Sequence, residues 1–299
     1  MSTLLVIASA IKDLFTYATP VFIAIGSISC LLNIIILLKD SFRTYPVSIC
    51  LVIVNICRLV RLYIVILPLV LEFGYGMASA SHVWICRLFF YVAFFVLYSK
   101  PCYMAVAVID RIFRTSSNPT TRQRSSRRFI VFTILGITIF WLLFQIEKLF
   151  FVQLIEIQPF YSICYYQSGI YLTFATFFPL IYMNMFMLVV LAVLVIWLRC
   201  NTRTVHQTEE VKPEDYELAR IVTVDLVLYI LVMIPSTIFE TYIVITASQI
   251  KTFEQVFVEN FVRLVIYFYS TFEDCLTFYI NLIVSKTFRL TLMKLLRFQ

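Results

Sequence analysis

The stretch CRLFFYVAFFVLYSKPCYMAVAVIDR, residues 86–111, decides how this chain is read. Cys86 opens it, Asp110-Arg111 closes it, and the residues between are almost all apolar. The 25 steps from Cys86 to Arg111 cover roughly 37 Å as a helix, enough to cross a bilayer. A carboxylate beside a guanidinium at a membrane boundary is costly unless it is paired. One helix is thus expected to carry a cysteine at one interface and a charge pair at the other.

The rest of the chain supplies a membrane context. Its 299 residues are 62% hydrophobic and 14% charged, too apolar for a soluble domain and without a repeat that would explain the bias. Seven apolar stretches are read at about 18–38, 46–71, 83–109, 129–152, 169–198, 219–246 and 257–284, each near or above the ~20 residues a spanning helix needs. The runs are too long and too continuously apolar for barrel strands. Residues 286–298, KTFRLTLMKLLRF, set Phe288, Leu290, Leu292, Leu295 and Leu296 against Arg289, Lys294 and Arg297, a pattern expected to lie flat on a bilayer. The fold class is therefore an all-α seven-transmembrane bundle. An outer N-terminus (1–17), a helical domain (18–284) and a cytoplasmic amphipathic helix and tail (285–299) are expected.

Most of the 24 lysines and arginines fall after spans one, three and five and in the tail, whereas the opposite side has Lys12, Lys148 and Lys251. The positive-inside rule then puts the N-terminus outside and the C-terminus in the cytoplasm. The net charge of +7 is a topology signal, so nucleic acid is not an expected partner. Residues 1–17 lack a cleavable signal pattern, which leaves span one as a signal anchor. Asn118 precedes a proline, so no glycosylation acceptor is read there. Cys30, Cys50, Cys57, Cys102 and Cys275 lie within spans as small buried hydrophobes. Cys86 and Cys164 both fall on the oxidising side, and their pairing would staple the second outer loop to span three.

In these features the chain resembles the rhodopsin-like (class A) G-protein-coupled receptors over nearly its whole length. Asn33, the Cys86 to Asp110-Arg111 spacing, Trp141, Pro179 and Pro235 match that family's landmarks. Departures are Ile112 for an aromatic, Asn55 for the span-two aspartate, Met233 for a tryptophan, and Thr277-Phe278-Tyr279-Ile280-Asn281 for the span-seven motif. That mixture resembles a diverged invertebrate branch in which chemosensory and peptide receptors are common. Thr271 stands where opsins carry a lysine, and Ala93 where amine receptors carry an aspartate. The resemblance implies a plasma-membrane receptor that binds an extracellular ligand and activates a heterotrimeric G protein, with no catalysis and no cofactor or metal. No nucleophile–base pair or phosphate loop argues for an enzyme. The alternative is a transporter or channel using charged residues at mid-depth; a third possibility is a diverged receptor that signals constitutively or not at all.

Three groups of residues carry the chemistry. Asn55, Lys100 and Asp274 are about 13, 16 and 18 Å in from the inner side by helical rise, and Glu273 and Arg58 adjoin them. A lone charge at that depth costs at least ~2.5–3.5 kcal/mol, so these side chains should face inward and pair. Since the resembled family holds sodium there, the Lys100 ammonium is expected to replace the ion between Glu273 and Asp274. The alternatives are a purely structural salt bridge, or Arg58 competing for the same acids. In the outer half, Arg61, Tyr91, Phe94, Tyr98, Glu240 and Arg263 are ligand-binding candidates, with two arginines suited to a carboxylate; aromatic spacing of this kind also fits plain core packing. At the inner face the resemblance implies an Asp110–Arg111–Asp215 lock. Glu217 is a substitute acid, Asp225 a competitor, and the acidic run Glu209, Glu210 and Glu214 an alternative setting for Asp215. The second inner loop (Arg122, Arg124, Arg127, Arg128) suits anionic lipid or phosphorylation. Without a Ser/Thr cluster in the tail, arrestin recruitment through a phosphorylated tail is not expected.

Overall fold

A computed structural model describes residues 2–77, 82–116, 118–123, 125–158, 161–167, 169–206, 213–247 and 249–296. Arg124, Glu209, Glu210 and Arg297 lie outside the described residues, as does the side chain of Glu214. Six helices are long and apolar enough to cross a membrane: α1 (Leu4–Leu37), α2 (Val47–Gly74), α3 (Val83–Arg114), α4 (Arg127–Phe151), α5 (Ile170–Thr202) and α6 (Asp215–Ile245). A further helix of 32 residues, α7 (Phe253–Val284), packs on α1 and α6 but carries Glu254, Glu259, Arg263, Glu273 and Asp274. The short α8 (Lys286–Leu296) follows, with Phe288 buried against Phe42 and Phe278.

Two expectations shift. Helical structure begins at Ser2 and runs on into α1, so most of residues 1–17 extend the first helix instead of forming a separate terminus. Their apolar run, Leu4 to Ile11, continues the span's pattern before the Lys12-Asp13 interruption, and helix propagation costs little once a long helix exists. The all-α class also needs an addition: β1 (Val152–Gln158) pairs antiparallel with β2 (Tyr161–Tyr166) between α4 and α5. Its β-branched and aromatic residues favour a pleated strand. The Cys86–Cys164 disulfide ties β2 to the start of α3, with Cα atoms 5.6 Å apart.

Prolines shape the helices where they interrupt the ladder. The π-helical stretches Leu14–Ala18 and Leu62–Ile66 end two residues before Pro20 and Pro68, where a proline withdraws a donor and crowds the preceding turn; Val70–Gly74 and Leu180–Met187 follow Pro68 and Pro179. Pro101 and Pro235, by contrast, sit inside unbroken α-helix.

Glycine sets one close crossing. A Cβ on Gly74 would stand 3.0 Å from the Phe15 carbonyl carbon and oxygen, and the Thr16 hydroxyl donates to the Gly74 carbonyl at 3.1 Å. α1 near Phe15 and the C-terminal end of α2 therefore touch backbone to backbone.

Large apolar side chains face outward, among them Leu135, Ile139, Phe140, Leu143, Val189, Val193 and Ile196. An apolar belt of this extent marks a surface meant for something other than water. Charged side chains are drawn inside: Arg58, Lys100, Asp110, Arg111, Asp225, Glu273 and Asp274 are all buried.

Candidate functional site

The polar interior begins with three asparagines. Asn281 on α7 donates to Asn33 on α1 at 3.4 Å, and Asn33 donates to Asn55 on α2 at 3.3 Å. The Asn55 amide nitrogen closes on the Leu51 carbonyl at 2.8 Å, leaving its oxygen to accept from Arg58 at 3.4 Å. A neutral asparagine thus hands the network on to a buried cation. Asn281, the polar end of the altered span-seven motif, is part of the site.

Above it lies an ionic cluster drawn from α2, α3, α6 and α7. Arg58, with no exposed surface, reaches Glu273 at 3.0 Å and Asp225 at 3.3 Å, and its Nε is 3.9 Å from Asp274. Lys100 donates to the other Glu273 oxygen at 2.8 Å and lies 5.1 Å over the Tyr229 ring. Arg61 pairs with Asp274 and holds the Ser270 hydroxyl and carbonyl, each at 2.7 Å. Three cations face three carboxylates, and the formal charge cancels. Neutrality matters because stranding one buried charge costs ~3–5 kcal/mol, whereas the complete set roughly breaks even against apolar packing.

This arrangement changes the expected roles. Asn55, Arg58, Lys100, Glu273 and Asp274 do come together, but Lys100 pairs with Glu273 alone, and Arg58 is the hub. Arg61 is engaged by Asp274 and Ser270 instead of lining an outer cavity. A long flexible side chain can reach groups well away from its own Cα, so a position along the helix does not fix which partner it meets. Asp225, expected to compete for Arg111, is held by Arg58; the position of an acid on α6 did not disclose which arginine it would face.

The end of the bundle away from the disulfide is built on Arg111, which is fully buried. Its Nε donates to Asp110 at 3.0 Å and its Nη1 to Asp215 at 2.9 Å. Ser125 donates to the second Asp110 oxygen and accepts from Arg114 at 2.9 Å, which joins the loop after α3 to the pair. Asp110, Arg111 and Asp215 are therefore brought together as expected. Glu217 is not a substitute acid: it accepts from the Ser285 hydroxyl at 2.7 Å and the Thr287 amide at 2.9 Å. There it caps α8, where a carboxylate satisfies free amides and the helix dipole.

The outer candidates separate into two groups. Tyr91 donates to the Leu142 carbonyl at 3.1 Å and Tyr98 stacks on Trp141 at 5.1 Å, so both face α4. Phe94 lies beside Tyr98 and under β2 residue Tyr166. Glu240 and Arg263 are half-buried on α6 and α7, the guanidinium 5.8 Å over Phe239. Sequence reasoning missed Lys148, treated only as an outer-side charge. It is 2% exposed and sits among Phe94, Tyr166 and Tyr171. The adjacent Glu147 was the available signal.

No protein-family model matches the chain, and no curated protein matches it.

Proposed function

We propose that this chain is a seven-helix plasma-membrane receptor, with its N-terminus outside, that answers an extracellular ligand by activating a heterotrimeric G protein. The observation that carries the reading is the buried Arg111 held at once by Asp110 on its own helix and Asp215 on α6. A guanidinium with both charge partners at one end of a helix bundle is a two-state element. Moving α6 away releases Asp215 and opens a cationic cleft at the face that would meet the G protein. A ligand that binds the open form better shifts the population toward it. The disulfide-tied hairpin over the opposite end supports the same polarity.

The seventh span is α7. Its two mid-helix acids, Glu273 and Asp274, are 3% and 0% exposed, so its charges are paired inside instead of facing lipid. In this reading the ammonium of Lys100 and the two guanidiniums of α2 fill the place an inner cation would take, and signalling is independent of sodium.

Nucleotide exchange on a G protein, measured with the purified chain in lipid nanodiscs, tests the proposal. Asp215→Ala is expected to raise ligand-free exchange and Arg111→Ala to abolish it. Exchange indifferent to both substitutions refutes the reading. A transporter is the second reading, favoured by the buried ionic cluster alone. Ion or solute flux in proteoliposomes that disappears with Glu273→Gln would replace the receptor with it.

A further inference from the structure

The outer end of α4 contains a second buried ion pair that neither the inner lock nor the central cluster uses. Lys148 Nζ lies 2.9 Å from Glu147, donates to the Tyr171 hydroxyl at 3.2 Å, and sits 4.9 and 5.1 Å over the rings of Phe94 and Tyr166. Polar atoms close by are unsatisfied. The hydroxyls of Tyr98 and Tyr166 and both amide atoms of Gln145 are buried without a hydrogen-bond partner among the described residues. Gln145 has no exposed surface and Tyr98 is 1% exposed. Native interiors rarely leave such groups unmet, so these atoms have hydrogen-bonding capacity to spare.

One turn below, the outward face of the bundle is hollow. A groove of about 550 Å³ lies between α3, α4 and α5, walled by Cys102, Trp141, Phe144, Phe178 and Tyr182, within the range of small-molecule sites. Gly136 lies on its wall, and a Cβ there would meet nothing within 4 Å. Tyr98 lies between the two regions, with its ring 5.1 Å from Trp141 in the groove wall and 5.8 Å from Phe94 under Lys148.

We propose that the groove and the Lys148 cradle form one site for a lipophilic carboxylic acid, its tail in the groove and its carboxylate on Lys148. As the ligand class of the receptor proposed above, it rests on that reading, though binding itself does not require the G protein. Charge complementarity selects the acid. The cradle offers the Lys148 ammonium and the Tyr166 and Tyr171 hydroxyls as donors, which suits an anion and disfavours an amine. The Glu147 side chain is 21% exposed, so an incoming carboxylate can replace it on Lys148 while Glu147 turns to water. One buried ion pair is exchanged for another, and no charge is stranded. The apolar, outward-facing groove admits the ligand from the lipid side.

The test is equilibrium binding of radiolabelled laurate to the purified full chain in nanodiscs, without G protein. Saturable binding is expected, weakened at least about tenfold by Lys148→Met and by Gly136→Leu but nearly retained by Lys148→Arg. Methyl laurate and dodecylamine are expected to compete at least about tenfold more weakly than laurate. Gly136→Leu fills open space and so reads the groove even if Lys148→Met misfolds. The proposal is overturned by non-saturable uptake, by methyl laurate competing as well as the acid, or by wild-type binding of either Lys148→Met or Gly136→Leu. Laurate binding together with absent nucleotide exchange would keep this site and discard the receptor. Exchange without laurate binding would do the reverse.

Discussion

Glu273→Gln is the sharpest probe of the interior, because one carboxylate serves two cations. Its oxygens meet Arg58 at 3.0 Å and Lys100 at 2.8 Å. Glutamine keeps the shape and one acceptor, so little packing is lost and the change is close to purely electrostatic. The cluster would then hold three cations against Asp225 and Asp274. Stranding one buried charge costs ~3–5 kcal/mol, and the retained acceptor puts the expected loss near ~3 kcal/mol. Lys100→Met removes the opposite sign and should cost a similar amount. Combining the two restores neutrality, with Arg58 and Arg61 facing Asp225 and Asp274. The double variant should therefore lose ~1–3 kcal/mol less than the sum of the singles. Unfolding in detergent, followed by a thiol-reactive dye, gives the readout, because Cys30, Cys50, Cys57 and Cys275 are buried and Cys200 supplies the exposed baseline. Strictly additive losses, or a Glu273→Gln cost under ~0.5 kcal/mol, would refute the charge-balance argument.

Two further outcomes follow from packing and covalent structure. Gly74→Leu should destabilise by ~1–3 kcal/mol, because its Cβ would press on the Phe15 backbone at 3.0 Å; an unchanged unfolding midpoint would count against the tight α1–α2 crossing. Cys86→Ser should cost ~2–5 kcal/mol and raise hydrogen exchange in β1 and β2 more than in the helices, measurable by mass spectrometry; equal protection in the two proteins would remove the stapling role.

The helices were legible because apolar runs of this length have few other fates, and the Asp110–Arg111–Asp215 contact only through what the family resemblance implied, since Asp215 lies 104 residues from Arg111. The disulfide followed from two cysteines on one side of the membrane. What stayed hidden was pairing among long side chains. Arg61, Arg58 and Lys100 can each reach acids on several helices, and spacing along α2 fixes a stripe without choosing a partner for each residue. The hairpin was obscured by its short strands between two longer signals. Lys148 was misjudged for a different reason: a lysine near a predicted boundary is usually solvated, and only the rings of Phe94, Tyr166 and Tyr171, distant in sequence, enclose it.

The ionic cluster also has a history within each molecule. Its cations belong to α2 and α3, whereas its acids belong to α6 and α7. During synthesis Arg58, Arg61 and Lys100 emerge before Asp225, Glu273 and Asp274 exist. Each unpaired charge placed in hydrocarbon costs at least ~2.5–3.5 kcal/mol, so the first helices must wait beside the insertion machinery, or shelter their cations, until the last ones arrive. The same dependence bears on α7, whose Glu273 and Asp274 would be as costly alone as the cations they face. Truncation before α6 should therefore leave an early fragment that inserts poorly, which makes completion of the chain a condition for its own retention in the membrane.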